Sequence, residues 1–194
     1  HTLPDPETEV FESCKKAGII SSGQECYSTI KQKLSNNQNL ANKINLPIVV
    51  PESSIHRKQR SKNWIGDFSS ANLVLNILEE TGIKILDNHK YLDFGCSSGS
   101  LLRVLNWYLP NAYWHGSDPV KKSTNWAIRN LKGIKFSVNS KDPPLEFDDA
   151  SMDGLISISV WSHFGEKAAW VWLNEMHRIL KPGGWILFTT HGLR

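Results

Sequence analysis

The sequence has few of the features that would support a disulfide framework, a secretory signal or a membrane span. Cysteine occurs three times in 194 residues, and Cys14, Cys26 and Cys96 form no C-x-x-C pair. An odd number of scattered cysteines makes a poor disulfide framework. No apolar run approaches the roughly 20 residues that cross a bilayer, and residues 1–9 are polar, unlike a secretory signal. We therefore expect a protein of the reducing cytoplasm, with no membrane span and no metal site.

The sequence also lacks a large excess of positive or negative charge. The formal net charge is +3, from 22 basic and 19 acidic residues, and the isoelectric point is near 8.7. This excess is too small and too dispersed to indicate nucleic-acid binding. A basic run at residues 56–62 is short, and we interpret it as a solvated linker in preference to an anion-binding arm.

The first sixty or so residues differ in pattern from the rest. Residues 6–17 predict a short helix that Gly18 ends. Ser22, with Glu25 three positions later, predicts the start of a second helix that ends in the polar run at 35–39. Residues 46–51 contain two prolines and predict an extended stretch or linker. We therefore predict an N-terminal helical and extended appendage over residues 1–62 and a second domain over residues 63–194.

From residue 68 onward, helical and strand patterns alternate. The predicted helices cover residues 68–82, 100–108, 123–131 and 166–180. The predicted strands cover residues 90–94, 112–116, 134–138, 154–160 and 185–190. Ser69 or Ser70 would cap the first of these helices, and Pro182-Gly183-Gly184 would break the chain before the last strand. The alternation predicts a doubly wound α/β fold, with a mostly parallel sheet and helices on both faces.

A glycine-bearing turn, residues 93–99 (Asp-Phe-Gly-Cys-Ser-Ser-Gly), joins the first of these strands to the next helix. Gly95 permits a sharp bend, and Gly99 lets the helix approach whatever lies over the turn. Ligands of open α/β sheets bind at such strand ends. The G-x-x-x-G spacing lacks the middle glycine of a dinucleotide fingerprint, and Asp93 would repel a pyrophosphate. The turn therefore disfavours a nicotinamide oxidoreductase and suits a cofactor that carries positive charge.

Asp118 follows the second strand of this domain. A carboxylate at that position can accept hydrogen bonds from both hydroxyls of a ribose. The alternative interpretation is a helix cap or turn residue. The turn and Asp118 together predict an adenosyl cofactor.

Four segments resemble the class I S-adenosylmethionine-dependent methyltransferases, in the order and at the spacing of that family. They are residues 91–100 (YLDFGCSSGS), 115–118 (HGSD), 145–154 (LEFDDASMDG) and 175–184 (EMHRILKPGG). The resemblance implies a Rossmann-like domain with S-adenosylmethionine as cofactor and S-adenosylhomocysteine as product. It also implies that this chain lacks the last two strands of the family, so that the domain is C-terminally truncated.

The resemblance assigns the cofactor contacts to three groups of residues. The methionine part would lie on Asp93, Gly95, Cys96, Ser97 and Gly99. The ribose and adenine would lie on Asp118, Pro119, Val120, Asn139 and Ser140. The sulfonium would lie beside Ser159 and Val160. Ser97 stands where the family usually has glycine, and Asn139 and Ser140 stand where it often has aspartate.

The chemistry of methyl transfer asks little of side chains, because the methyl sulfonium is already activated. Catalysis is mostly positioning, and a base is needed when the acceptor must lose a proton. His163 and His191 follow the fourth and fifth strands, and each is either that base or a packed or capping histidine. Trp161 would wall a substrate pocket or, like the tryptophans at 170, 172 and 185, belong to the core.

The leading hypothesis is methyl transfer to a small-molecule or glycan acceptor. Residues 159–164 and 189–192 resemble methyltransferase domains that accompany sugar-modifying enzymes. Nucleic acid is disfavoured as acceptor, because no Asn/Asp-Pro-Pro-Tyr/Phe stretch follows the fourth strand. The alternative is a non-catalytic domain that serves as a binding module in a larger protein. An exposed edge at the fifth strand would favour a homodimer.

Overall fold

The computed structural model describes residues 6–20, 30, 32–34, 37–46, 49–52, 54–55 and 66–190 of the chain. The strands are β1 (Lys90–Phe94), β2 (Tyr113–Ser117), β3 (Ile134–Ser137), β4 (Met152–Ser157) and β5 (Leu180–Phe188). The helices are α1 (Pro6–Lys16), α2 (Gln38–Lys43), α3 (Gly66–Glu80), α4 (Ser100–Tyr108), α5 (Lys121–Asn130) and α6 (Glu166–Ile179). A short 3₁₀ turn, Trp161–His163, precedes α6.

All five strands are parallel and lie in the order β3-β2-β1-β4-β5. β2 and β3 are thus added on one side of β1, and β4 and β5 on the other. The strand order therefore reverses between the neighbouring strands β1 and β4. Successive side chains of a strand point to opposite faces. Leu155 of β4 packs in one hydrophobic core with α6, whereas Ile156 packs in another with α3 and α4. The predicted doubly wound fold, with helices on both faces of a parallel sheet, is confirmed.

The described N-terminal segments pack on the same face as α3 and α4. Val10 and Cys14 of α1 are buried in the core that α3 and α4 share, and burial raises the pKa of the Cys14 thiol to about 11. The indole Nε1 of Trp107 donates to the carbonyl of Ile44 at 3.2 Å. These segments therefore cover the α3 and α4 layer.

Two predictions near the N-terminus fare differently. The helix of residues 6–17 is confirmed, within one residue, by α1. The polar run at 35–39 was predicted to end a helix, but a further helix, α2, begins within it at Gln38. The Asn37 side chain caps α2 by accepting from the amides of Asn39 and Leu40, at 3.1 and 3.4 Å. Ser22, Glu25 and the basic run at 56–62 lie outside the described residues.

Several element boundaries also differ from the prediction, and three of them have a clear local reason. Ser69 and Ser70 do not cap α3, because the helix already begins at Gly66. β4 ends at Ser157, since Ser159 adopts φ of 59° and turns the chain out of the strand. Residues 182–184 do not break the chain before β5. They lie within it, as a bulge after the Met152–Leu180 pair, and β5 follows α6 directly.

The two tryptophans of α6 that were expected in the core differ in burial. Trp170 is 61% exposed, so that expectation was wrong. Trp172 is buried as expected, together with Glu175, Met176 and Ile179. None of the helices in the described part of the chain is long and apolar enough to cross a membrane.

Candidate functional site

A cavity of about 330 Å³ lies where β1, β2, β3 and β4 end, and we call it the strand-end cavity. Its volume falls within the range of small-molecule sites, roughly 300–1,000 Å³. Nine residues that the sequence predicted as site residues line it: Gly95, Asp118, Pro119, Val120, Asn139, Ser140, Ser159, Val160 and His163. The fold thus brings together residues from four separate loops.

The two glycines of the turn are required by the protein around them. Gly95 has φ of +84°, and its amide donates to the Ser117 carbonyl at 2.8 Å. A Cβ at Gly95 would collide with Cγ2 of Val160. Gly99 has φ of +74°, and a Cβ there would lie 2.7 Å from Cζ of Phe136. L-residues rarely adopt this left-handed conformation, so conformation and close packing both require glycine here.

Asp118 joins the turn after β2 to the glycine-bearing turn after β1 through its two carboxylate oxygens. Oδ2 accepts from the amide of Ser97, and Oδ1 accepts from the amide of Val120, each at 2.8 Å. Asp118 is 7% exposed. Each carboxylate oxygen has a second acceptor position, so the turn role leaves capacity for two hydroxyl donors. Ser97 itself adopts φ of 53°, the conformation that glycine favours.

Asn139 is held in place by its neighbours. The Ser117 hydroxyl donates to Oδ1 of Asn139 at 2.8 Å, and Nδ2 of Asn139 donates to the carbonyl of Ser140 at 2.6 Å. The second N–H of that Nδ2 stays available. Asn139 can therefore offer a ligand a donor, which the aspartate common at this position in the family cannot.

The other predicted turn residues and the two histidines differ in where they lie. Asp93, Cys96, Ser97 and Gly99 lie in the turn but do not line the strand-end cavity. Cys96 is buried, and its thiol donates to the carbonyl of Ser97 at 3.8 Å. His163 lines the cavity from the 3₁₀ turn, where its amide donates to the Val160 carbonyl at 2.9 Å. His191 lies outside the described residues.

A family model described as a methyltransferase domain matches residues 92–188, which is half of the chain. The chain belongs to the class I S-adenosylmethionine-dependent methyltransferases. The cofactor of this family of enzymes is S-adenosylmethionine. The matched residues begin inside β1 and end with β5, so they include the turn and every strand end that lines the strand-end cavity.

Solved structures show the same fold at low sequence identity. The PH0226 protein from Pyrococcus horikoshii is 22% identical, with a TM-score of 0.55 over 71% of this chain and 63% of that chain. A candidate S-adenosyl-L-methionine-dependent methyltransferase from Methanococcus maripaludis is 16% identical, with a TM-score of 0.52 over 87% and 67%. A candidate sarcosine dimethylglycine methyltransferase from Galdieria sulphuraria is 19% identical, with a TM-score of 0.53 over 61% and 44%. The chain thus spans less than two thirds of the first and third of these proteins.

The strand-end cavity fits an adenosyl group without a pyrophosphate. Asp118 offers acceptors for hydroxyls, and Asn139 offers a donor. Val120 is an apolar side chain that is 55% exposed at the cavity, which suits contact with a flat base. Lys141 is the one Lys or Arg among the described lining residues, whereas phosphate groups are usually bound by several cations or helix amides.

The sequence did not predict the aromatic side of the strand-end cavity. Phe94, Phe164 and Trp172 line it, and their rings contact one another. The centroids of Phe94 and Trp172 are 4.6 Å apart, and the rings of Phe164 and Trp172 stack at 16° and 6.2 Å. Lys141 and Ile158 were also missed, although each directly adjoins a predicted residue. Trp172 could not be found in this way, because it lies on α6 and adjoins no predicted site residue in the sequence.

Proposed function

We propose that this chain transfers the methyl group of S-adenosylmethionine to a small-molecule or glycan acceptor. The observation that carries the proposal is the strand-end cavity, where loops from four strands place a carboxylate, an amide and a histidine around one space. A concave site of this size suits a small acceptor. The weak, dispersed charge of the chain supports such an acceptor over a nucleic acid.

In this proposal, Asp118 accepts from the ribose hydroxyls while Pro119 and Val120 contact the adenine. Asp93, Gly95 and the turn to Gly99 hold the methionine part. Ser159 and Val160 border the reacting centre. S-adenosylmethionine supplies an activated methyl group on a sulfonium. The side chains therefore work chiefly by orienting the acceptor and excluding water.

The acceptor atom needs a base only if it carries a proton that must leave. Its lone pair forms the new bond to the methyl carbon, while the carbon–sulfur bond breaks and its electron pair stays on sulfur. His163, at the cavity wall, takes the proton from a hydroxyl acceptor. His191 is the second candidate for this base.

We also propose that two copies of the chain associate through β5. This strand is hydrogen-bonded to β4 on one side and ends the sheet in the described residues. The described N-terminal segments pack on α3 and α4. Unpaired backbone groups on an edge strand favour pairing with another strand.

Calorimetry with S-adenosylhomocysteine tests the proposed cofactor site. We expect the wild type to bind and Asp118→Asn to bind about 10- to 100-fold more weakly, because a hydrogen bond to a charged group contributes roughly 1.5–3 kcal/mol. Val120→Glu should also weaken binding. Its side chain is exposed, and a carboxylate at the start of α5 favours the helix, so the fold should persist.

Asp87→Asn is the matched control, since Asp87 is an exposed aspartate before β1 that does not line the strand-end cavity. Its affinity for S-adenosylhomocysteine should equal that of the wild type. If the wild type binds no S-adenosylhomocysteine at millimolar concentration, the enzymatic proposal fails and a non-catalytic binding module is favoured.

A further inference from the structure

The chain between β3 and β4 forms one wall of two neighbouring cavities. We call residues 139–143 the wall segment. Its first three residues line the strand-end cavity, and its last two line a second cavity of about 470 Å³ beside the first turn of α6. Trp172 of α6 lines both cavities. The wall segment and Trp172 therefore both border the strand-end cavity, and a shift of the segment relative to α6 would change the space between them.

The wall segment is held at both ends. At its start, the hydroxyl of Ser117 donates to Oδ1 of Asn139, as described above. Just beyond its other end, the amide of Leu145 donates to Oε1 of Glu175 at 2.7 Å. Glu175 is a buried residue of α6. The far end of the segment is thus bonded to the helix that supplies Trp172.

Arg178 holds the Glu175 carboxylate and the chain beyond Leu145 together. Its Nε and Nη2 donate to Oε2 and Oε1 of Glu175 at 2.9 and 2.6 Å. Its Nη1 donates to the carbonyl of Phe147 at 2.8 Å and to Oδ1 of Asp149 at 2.6 Å. We call Glu175 and Arg178, with these bonds to residues 145–149, the clamp.

The clamp keeps Glu175 ionised although it is buried. The hydrogen bonds from Arg178 lower the pKa of the Glu175 carboxyl, helped by the Leu145 amide and opposed by burial. A buried carboxylate without such a partner would be costly. Trp172 and Glu175 are three positions apart and share one side of α6. One helix side therefore supplies the aromatic wall and anchors the opposite wall.

We propose that Glu175 and Arg178 are positioning residues for cofactor binding. The clamp holds the wall segment at the distance from Trp172 that the adenosyl group requires. Neither residue lines the strand-end cavity, so both act through Leu145 and the wall segment. The inference rests on the proposed function, since it takes the strand-end cavity as the cofactor site.

Affinity for S-adenosylhomocysteine, measured by calorimetry well below the unfolding temperature, tests this proposal. We expect Glu175→Gln and Arg178→Lys each to bind about tenfold more weakly than the wild type, the order of magnitude for loss of a charged hydrogen bond. Arg178→Lys keeps the charge but replaces three guanidinium nitrogens by one, so it cannot hold Glu175 and also keep the separate bonds from Nη1 to Phe147 and Asp149. It carries the test should Glu175→Gln fail to fold.

The chain offers a matched control at the opposite end of the sheet. Asp153 accepts from the backbone amide of Lys90 at 2.8 Å and from Nζ of Lys181 at 2.7 and 2.8 Å, and Nδ1 of His89 lies 3.6 Å from its Oδ1. Glu175 likewise accepts from one amide and one cation. We expect Asp153→Asn to lower the free energy of unfolding while leaving the affinity for S-adenosylhomocysteine unchanged.

Two results would overturn the proposal while the wild type still binds S-adenosylhomocysteine. In one, the clamp variants lose stability but keep wild-type affinity, so the clamp is structural only. In the other, Asp153→Asn weakens binding as much as the clamp variants do, so the loss reflects general destabilisation. A wild type that binds no S-adenosylhomocysteine is a separate result, since it refutes the proposed function and the clamp's role with it.

Discussion

At the scale of single residues, the side chain of Val160 packs directly against the backbone of Gly95. Gly95 turns the chain out of β1, and Val160 follows the end of β4. Cγ2 of Val160 fills the position that a Cβ at residue 95 would need. The two strand ends that flank the reversal of strand order are therefore packed directly against each other.

This contact predicts the effect of Gly95→Ala. We expect a loss of roughly 2–4 kcal/mol in the free energy of unfolding, from the left-handed φ and from overpacking. Adding Val160→Ala should recover the overpacking part and leave the conformational part. Urea unfolding of the four members of this double-mutant cycle measures the coupling. Strictly additive effects would show that the two side chains do not compete for space.

The residues of the site could be predicted only as far as strand ends could be located. Asp118, Asn139 and Ser159 were found because each follows a strand whose pattern is clear in the sequence. Trp172 was expected in the core, but its place in the cavity wall was not predicted, because packing decides which side of a helix borders a cavity. Trp170 was expected in the core as well, yet it is exposed. The buried side of α6 also carries Glu175, whose bonds to Leu145 and Arg178 interrupt the apolar pattern that would indicate that side.

At the scale of secondary-structure elements, the clamp predicts how stability depends on pH. The folded-state pKa of Glu175 lies below its ordinary value of 4.5, chiefly because of Arg178. Its stabilisation is therefore fully present above that ordinary value, and it is lost as the pH falls through the lowered folded-state pKa. We expect Glu175→Gln to be less stable than the wild type at neutral pH and to show a shallower acid decline. Urea unfolding from pH 7 to about pH 3 measures both slopes. Parallel slopes would mean that another carboxylate governs the acid limb.

Element boundaries were predictable where one local signal decided them. β1 and α4 begin and end as predicted, since glycines stand at their junction and a proline follows α4. β5 begins earlier than predicted, because residues 182–184 favour a break but pairing with β4 keeps them in the sheet. Pairing between strands that are distant in sequence cannot be predicted from the local residue pattern.

At the scale of the whole molecule, the β5 edge predicts self-association. We expect sedimentation velocity to show a dimer that Phe188→Lys weakens, because a lysine on an edge strand opposes pairing. Phe188 is 40% exposed. Ile128→Lys is the control, since Ile128 is an exposed apolar residue of α5. A wild type that stays monomeric at high concentration would refute the proposed dimer.

Domain organisation was the least predictable property at this scale. Local patterns separate residues 1–62 from the rest, and that boundary stays a prediction. In the structure, α1 and residues 41–46 share a core with α3 and α4. Patterns along the chain cannot show that two segments with different composition bury the same apolar surface.

The direct junction between α6 and β5 determines which parts of the cavity can move. α6 ends at Ile179, and Leu180 already pairs with Met152 of β4. No residue separates the helix from the strand, so a shift of α6 would disturb that pair. We therefore expect Trp172 to stay in place when a ligand binds. Among the described residues that line the two cavities, we expect residues 158–160 and 163–165 to move when ligand enters, because the clamp holds the wall segment.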